Sequence, residues 1–158
     1  MLVMSSRPHR QQGGFTLLEV LIAVVVLAFG LLGFALLQTT SVRFVQSANY
    51  RTQATNLAYD MTEQMRSNRF QAAWYTRATF DPGSKTAAAV CSRDEGAVSI
   101  DQNIARWQCQ VVKALGDQAG AEVTYDEGEV QVAITWADER WDPDNPDKPT
   151  TFALETRL

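Results

Sequence analysis

The chain has 158 residues, enough for one small domain and one extended segment, and a formal charge of −4 opposes any broad phosphate-binding surface. Its single histidine, His9, lies in a short N-terminal stretch, and two cysteines alone cannot complete a structural zinc site. The composition therefore argues against a nucleic-acid binder, a histidine-dependent hydrolase and a zinc domain, and no glycine-rich phosphate loop follows a predicted strand. No enzyme activity and no cofactor are expected.

Residues 1–14 form a basic leader with Arg7, His9 and Arg10, ending in Gly13-Gly14. From Phe15 to Leu37 the only formal charge is Glu19. As a helix those 23 residues would span about 35 Å, enough to cross a hydrocarbon core of about 30 Å. A carboxylate in such a segment costs about 2.5–3.5 kcal/mol on insertion scales, which makes Glu19 a functional candidate. Phe15 and Glu19 stand at i, i+4 on one helical face, where the dipole at the helix start favours an anion. An ordinary secretory signal is cut after its apolar region, whereas here the glycine precedes it. The basic residues hold the N-terminal end in the cytoplasm and send the C-terminal part across the membrane. A signal anchor with a stray acid is the plainer alternative.

Gly14-Phe15-Thr16-Leu17-Leu18-Glu19 resembles the start of the type IV prepilin class. The resemblance implies cleavage after Gly14 by a membrane prepilin peptidase and N-methylation of the new terminus, Phe15. It also implies an assembly contact in which Glu19 pairs with the terminal amine of a neighbouring subunit. Loss of residues 1–14 would leave 12 basic and 18 acidic residues, a formal charge of −6. Gly30 and Gly33 lie in the apolar segment, either as close-packing positions against another helix or as designed weak points. The run Gly30-Leu31-Leu32-Gly33 resembles PilV-type minor pilins more than the minor pseudopilins of type II secretion.

Beyond Leu37 no proline or glycine interrupts Gln38 to Ala73, so the helix is expected to continue to about Phe70, with 15–37 as its transmembrane part and 38–75 as its periplasmic part. Ala54, Leu57, Met61 and Met65 recur at spacings of three and four, an apolar stripe for a globular domain over 76–158. Residues 76–98, with Asp81-Pro82-Gly83, read as connecting loop. Ser99 and Gln102 offer a capping box, Ile104, Trp107, Val111 and Leu115 follow at helical spacing, and Gly116 supplies a stop, which predicts a helix from Ile100 to Leu115. Alternation of Trp107, Cys109 and Val111 leaves a strand as the rival reading there.

After the 116–120 linker, Val123 and Tyr125 alternate with polar residues, Asp126-Glu127-Gly128 has the form of a hairpin loop, and Val130, Val132, Ile134 and Trp136 continue the alternation. A third strand is expected at Phe152 to Thr156. Three such strands with one apolar face suit the stripe on the long helix. The order of elements is α+β and resembles the pilin fold: a long N-terminal helix packed on a small antiparallel sheet with a second short helix. Between the last strands, Trp141 to Pro149 is acidic and rich in proline. It reads as an exposed loop, because it lacks the ordered spacing and bidentate acid of a calcium-binding EF-hand, with Trp141 either covering the sheet edge or meeting a partner. Cys91 and Cys109 fall on the periplasmic side, where disulfides persist, and are expected to be joined.

The resemblance implies a non-catalytic minor pilin that takes part in assembly or priming of type IV pili. Its partners would be other minor pilins, the major pilin, the prepilin peptidase and the inner-membrane assembly machinery. It would sit in the inner membrane with a periplasmic C-terminal domain, and later in the pilus. A minor pseudopilin of type II secretion is the nearest alternative, and a signal-anchored periplasmic binding or enzyme domain is the alternative from another class.

Overall fold

A computed structural model describes residues 14–86, 91–92, 96–138 and 148–158. The loop from Trp141 to Asp147, including the calcium question, lies outside the described residues. The chain divides into two compact units, Met1–Val42 and Arg43–Leu158, and helix α1, Leu17–Ser67, contributes residues to both.

In the first unit, the side chains of α1 from Leu17 to Leu37 are exposed, and an 18-residue window of α1 has a mean hydropathy of 3.0 with none of it buried within the chain. That helix is long and apolar enough to cross a membrane.

In the second unit α1 buries Ala54, Ala58, Met61, Thr62 and Met65 on one face. The expected stripe is therefore present with one shift: Leu57 is only partly buried, and Ala58 is fully buried. The helix ends at Ser67 rather than near Phe70, so residues 69–75 do not belong to it. The Ser67 hydroxyl and the Asn68 side-chain amide both donate to the Gln64 carbonyl, at 2.9 and 3.1 Å, beside the last helical bond that the Asn68 amide makes to it at 3.2 Å. Asn68 leaves helical geometry at φ −118°, ψ 40°.

The chain then runs as a 3₁₀ segment, Arg69–Ala78, kinked at Gln71. In 3₁₀ geometry residues three apart eclipse one another, and Ala72, Tyr75 and Ala78 are buried in that period. The Tyr75 hydroxyl accepts from Asn68 Nδ2 at 3.0 Å, and burial pushes its pKa up, while side-chain hydrogen bonds with Asn103 and Asn68 oppose that shift. This segment replaces the start of the expected loop. Its exit is also ordered: Phe80 pairs with Ala121, and the Thr79 hydroxyl accepts from the Val123 amide at 3.0 Å.

Helix α2 spans Ile100–Leu115, which decides against the strand reading of 107–111. Its capping box is complete: Gln102 N donates to Ser99 Oγ at 3.2 Å, and Ser99 N donates to Gln102 Oε1 at 2.8 Å. Gly116 ends it, its amide donating to the Val112 carbonyl at 2.8 Å. Trp107, fully buried, donates from Nε1 to the Leu57 carbonyl of α1 at 2.9 Å, and Gln108 donates to the Ala78 carbonyl at 3.0 Å. These two bonds fix α2 to both α1 and the 3₁₀ segment.

Three antiparallel strands follow in the order β1 (Gly120–Asp126), β2 (Glu129–Ala137) and β3 (Pro149–Arg157). Cross-strand rows Ala121–Ile134–Phe152 and Val123–Val132–Leu154 set one apolar face toward the core shared with Met61, Met65 and Trp107. The opposite face carries polar rungs, including Gln131 donating to Glu155 at 2.8 Å. Glu127 and Gly128 both have positive φ, 46° and 93°, as a two-residue type I′ hairpin turn requires. Gly120 answers a different demand, since a Cβ there would stand 2.6 Å from the Pro82 ring. β3 extends beyond the expected Phe152 to Thr156, and Pro149 is tolerated because it is the first residue of the strand. Ser47 of α1 donates to Asp138 Oδ2 at 2.6 Å, tying the end of β2 to the helix.

Cys91 and Cys109 form a disulfide. It anchors residue 91, between α1 and α2 in sequence, to α2 across a separation of 18 residues. The chain-entropy estimate for closing such a loop is about 3 kcal/mol. Cys91→Ser is therefore expected to lower unfolding stability by about that amount, and to reduce abundance without altering the N-terminus. Thermal unfolding of the full chain in detergent, with mass analysis of the terminus, checks both halves of the expectation.

Candidate functional site

The residues singled out by sequence lie at the entry to α1. Gly14 and Phe15 precede the helix and are exposed, Phe15 by 84 %. Thr16 is the residue on which α1 starts: its hydroxyl accepts from the Glu19 amide at 3.2 Å, and its carbonyl accepts from the Glu19 and Val20 amides at 3.1 and 3.3 Å. A threonine three residues ahead of a glutamate, before an apolar run, is an N-terminal helix signature. Thr16 and Glu19 thus stand at the spacing that Ser99 and Gln102 show at the start of α2.

The cap fixes Glu19 in the first turn of α1. Four N-terminal amides of a helix lack partners within it, so a carboxylate there is favoured by the dipole. Phe15 and Glu19 lie along one shallow groove with Val20, Ala23, Val24 and Leu27, although Phe15 precedes the helix rather than sharing a helical face with Glu19. Glu19 makes no ion pair among the described residues. The arrangement offers one carboxylate, held in a helical first turn beside an apolar groove, to a cation from outside the chain.

Among the described residues nothing lies within 4 Å of where a Cβ on Gly14, Gly30 or Gly33 would be. The leader residues Arg7, His9, Arg10 and Gly13 lie outside the described residues. Cys91 and Cys109 belong to the second unit and serve its stability rather than this site.

Comparison with known proteins divides the chain near the same place. Residues 9–35 match a family model described as the prokaryotic N-terminal methylation motif. Residues 36–108 match a second, described as type IV pilin Tt1218. No curated protein and no solved structure matches the chain.

Proposed function

We propose that this type IV pilin, supported as such by the two matched models across residues 9–108, is a minor subunit of the PilV kind that takes part in assembly or priming of the pilus. The observation that carries the reading is the capped entry to α1. It presents Glu19 and Phe15 along one groove, on a helix whose exposed apolar length suits a membrane first and neighbouring subunits later. The peptidase cuts between Gly14 and Phe15 and methylates the Phe15 amine. Glu19 then pairs with the terminal amine of the next subunit as the helix leaves the lipid. Two charges that are costly in an apolar medium neutralise each other only in the assembled state, which gives assembly a register.

In this reading the protein is anchored in the inner membrane with residues 43–158 in the periplasm, and it acts by contact rather than catalysis. Pilin families are structural. The Gly30-Leu31-Leu32-Gly33 run favours a pilus over a secretion pseudopilus. Gene deletion tests the choice. We expect surface pili and twitching motility to be lost or sharply reduced, with type II secretion unchanged. Normal pilus number with a secretion defect would transfer the protein to the pseudopilins.

A further inference from the structure

The sheet has two outer edges, and the chain covers one of them. On β1 the Phe80 amide donates to the Ala121 carbonyl at 2.8 Å, and the Ala121 amide donates back to the Phe80 carbonyl at 3.0 Å. The Thr79 hydroxyl accepts from the Val123 amide at 3.0 Å and donates to the Val123 carbonyl at 3.4 Å. Under that cover Ala121 and Val123 are buried. β3 is the other edge, and among the described residues it pairs with β2 alone.

The register fixes which backbone groups of β3 point outward. The Leu158 amide donates to the Gly128 carbonyl at 2.8 Å, and opposite residues in an antiparallel pair alternate between bonded and unbonded. Phe152, Leu154 and Thr156 therefore spend their amides and carbonyls on β2. Thr151, Ala153, Glu155 and Arg157 turn theirs away from the sheet, where they meet no partner among the described residues. The devices that guard an edge are sparse here: Pro149 stands only at the first position, the register runs without a bulge, and residues 150–154 carry no charge. Phe152 and Leu154 are also half-buried, whereas their β2 neighbours Ile134 and Val132 are fully buried. The edge lacks both backbone partners and apolar cover.

Such an edge selects its occupant by backbone chemistry. Only an extended strand supplies amides and carbonyls at the matching spacing, with alternate side chains beside Phe152 and Leu154. Two copies of this chain have only β3 to offer each other, because β1 is covered, and a β3–β3 pair closes at two. A minor subunit that joins unlike subunits needs the edge for a different chain. Subunits held through their N-terminal helices keep their domains at high effective concentration for such pairing. We propose that β3 is extended by a strand of a different pilin subunit, apolar at the alternate positions that meet Phe152 and Leu154. The contact lies outside α1 and rests on the reading of the chain as a minor pilin.

Two measurements on the full-length protein test it. In detergent, without a partner, the Ala153 and Glu155 amides are expected to exchange with solvent about a hundredfold faster than those of Leu154 and Thr156. Equal protection would mean that the edge is already paired and would overturn the proposal. In its own cells, a photo-crosslinking phenylalanine analogue at exposed Ala153 is expected to join a segment of another protein, apolar at every other residue, whose chain carries a processed pilin N-terminus. Thr151→Pro or Glu155→Pro removes one outward amide and no bond to β2, so each should lower the yield about fivefold or more while the Cys91–Cys109 disulfide persists. The exchange rates and the identity of the adduct do not depend on either proline variant folding. A two-copy adduct, an adduct to any other protein, an unchanged yield from a folded proline variant, or no adduct from processed chain would each overturn the proposal. N-terminal processing and piliation, measured on the same cells, report separately on the filament reading.

Discussion

Glu19→Ala is expected to leave the protein in the membrane and out of the pilus. Removing the carboxylate lifts an insertion cost of about 2.5–3.5 kcal/mol, so membrane integration should be equal to or better than that of the parent. Helix α1 should still start at Thr16, because the bonds that cap it use the Glu19 backbone amide and not its side chain. On the proposed function, what is lost is the anion offered to the neighbour's terminal amine. Stranding one member of a buried ion pair costs about 3–5 kcal/mol, or roughly two to four orders of magnitude in an association equilibrium. Glu19→Gln, similar in size and uncharged, should behave in the same way. Fractionation checks this directly: both variants are expected in the membrane fraction at normal abundance and to be depleted from sheared pili. Normal incorporation of either would show that the carboxylate is not the assembly contact.

Trp107→Ala should be the most damaging single change in the globular unit. The side chain is fully buried in the core shared by α1, α2 and the sheet, and its Nε1 bond to the Leu57 carbonyl pins α2 on α1. Truncation of a buried tryptophan costs about 3–5 kcal/mol, a large share of the 5–15 kcal/mol typical of a whole domain. Trp107→Phe should recover part of the packing and none of the hydrogen bond. Trp74→Ala is the internal contrast. Trp74 is mostly exposed, so its loss should change stability by less than about 1 kcal/mol. Denaturant unfolding of the full chain in detergent, followed through protease resistance of residues 43–158, should order the variants as parent, Trp74→Ala, Trp107→Phe and Trp107→Ala.

The parts of this fold that were legible in sequence are those fixed by local chemistry. Ser99 and Gln102 bracket the start of α2 and Gly116 its end, so both bounds of that helix follow from side chains within a few residues of them. The hairpin is equally local, with Gly128 in the turn and period-two apolar residues on either side. The motif at the entry to α1 is local in the same way: glycine, aromatic and acid lie within the six residues from Gly14 to Glu19. The end of α1 was not legible, because neither proline nor glycine marks it. Helical geometry is left at Asn68, whose side chain is bound to Tyr75, seven residues on. The 3₁₀ segment was hidden by its period. Read at a spacing of 3.6, Phe70 and Trp74 share a face, whereas a period of three buries Tyr75 with Ala72 and Ala78 and leaves the other two outward. Gln108 and Asp138 were invisible for a third reason: their partners, Ala78 and Ser47, are 30 and 91 residues away.

The mature N-terminus decides whether the chain can assemble through Phe15 and Glu19. Mass analysis of the protein purified from its own cells should find a chain that begins at Phe15 and carries an N-methyl group. Replacing Gly14 with a bulky residue, which this fold has ample room to hold, should leave the leader in place. A terminus that falls after the apolar segment, near Ala48, would contradict the account, since a protein cut there has neither the amine nor the Glu19 carboxylate with which to assemble.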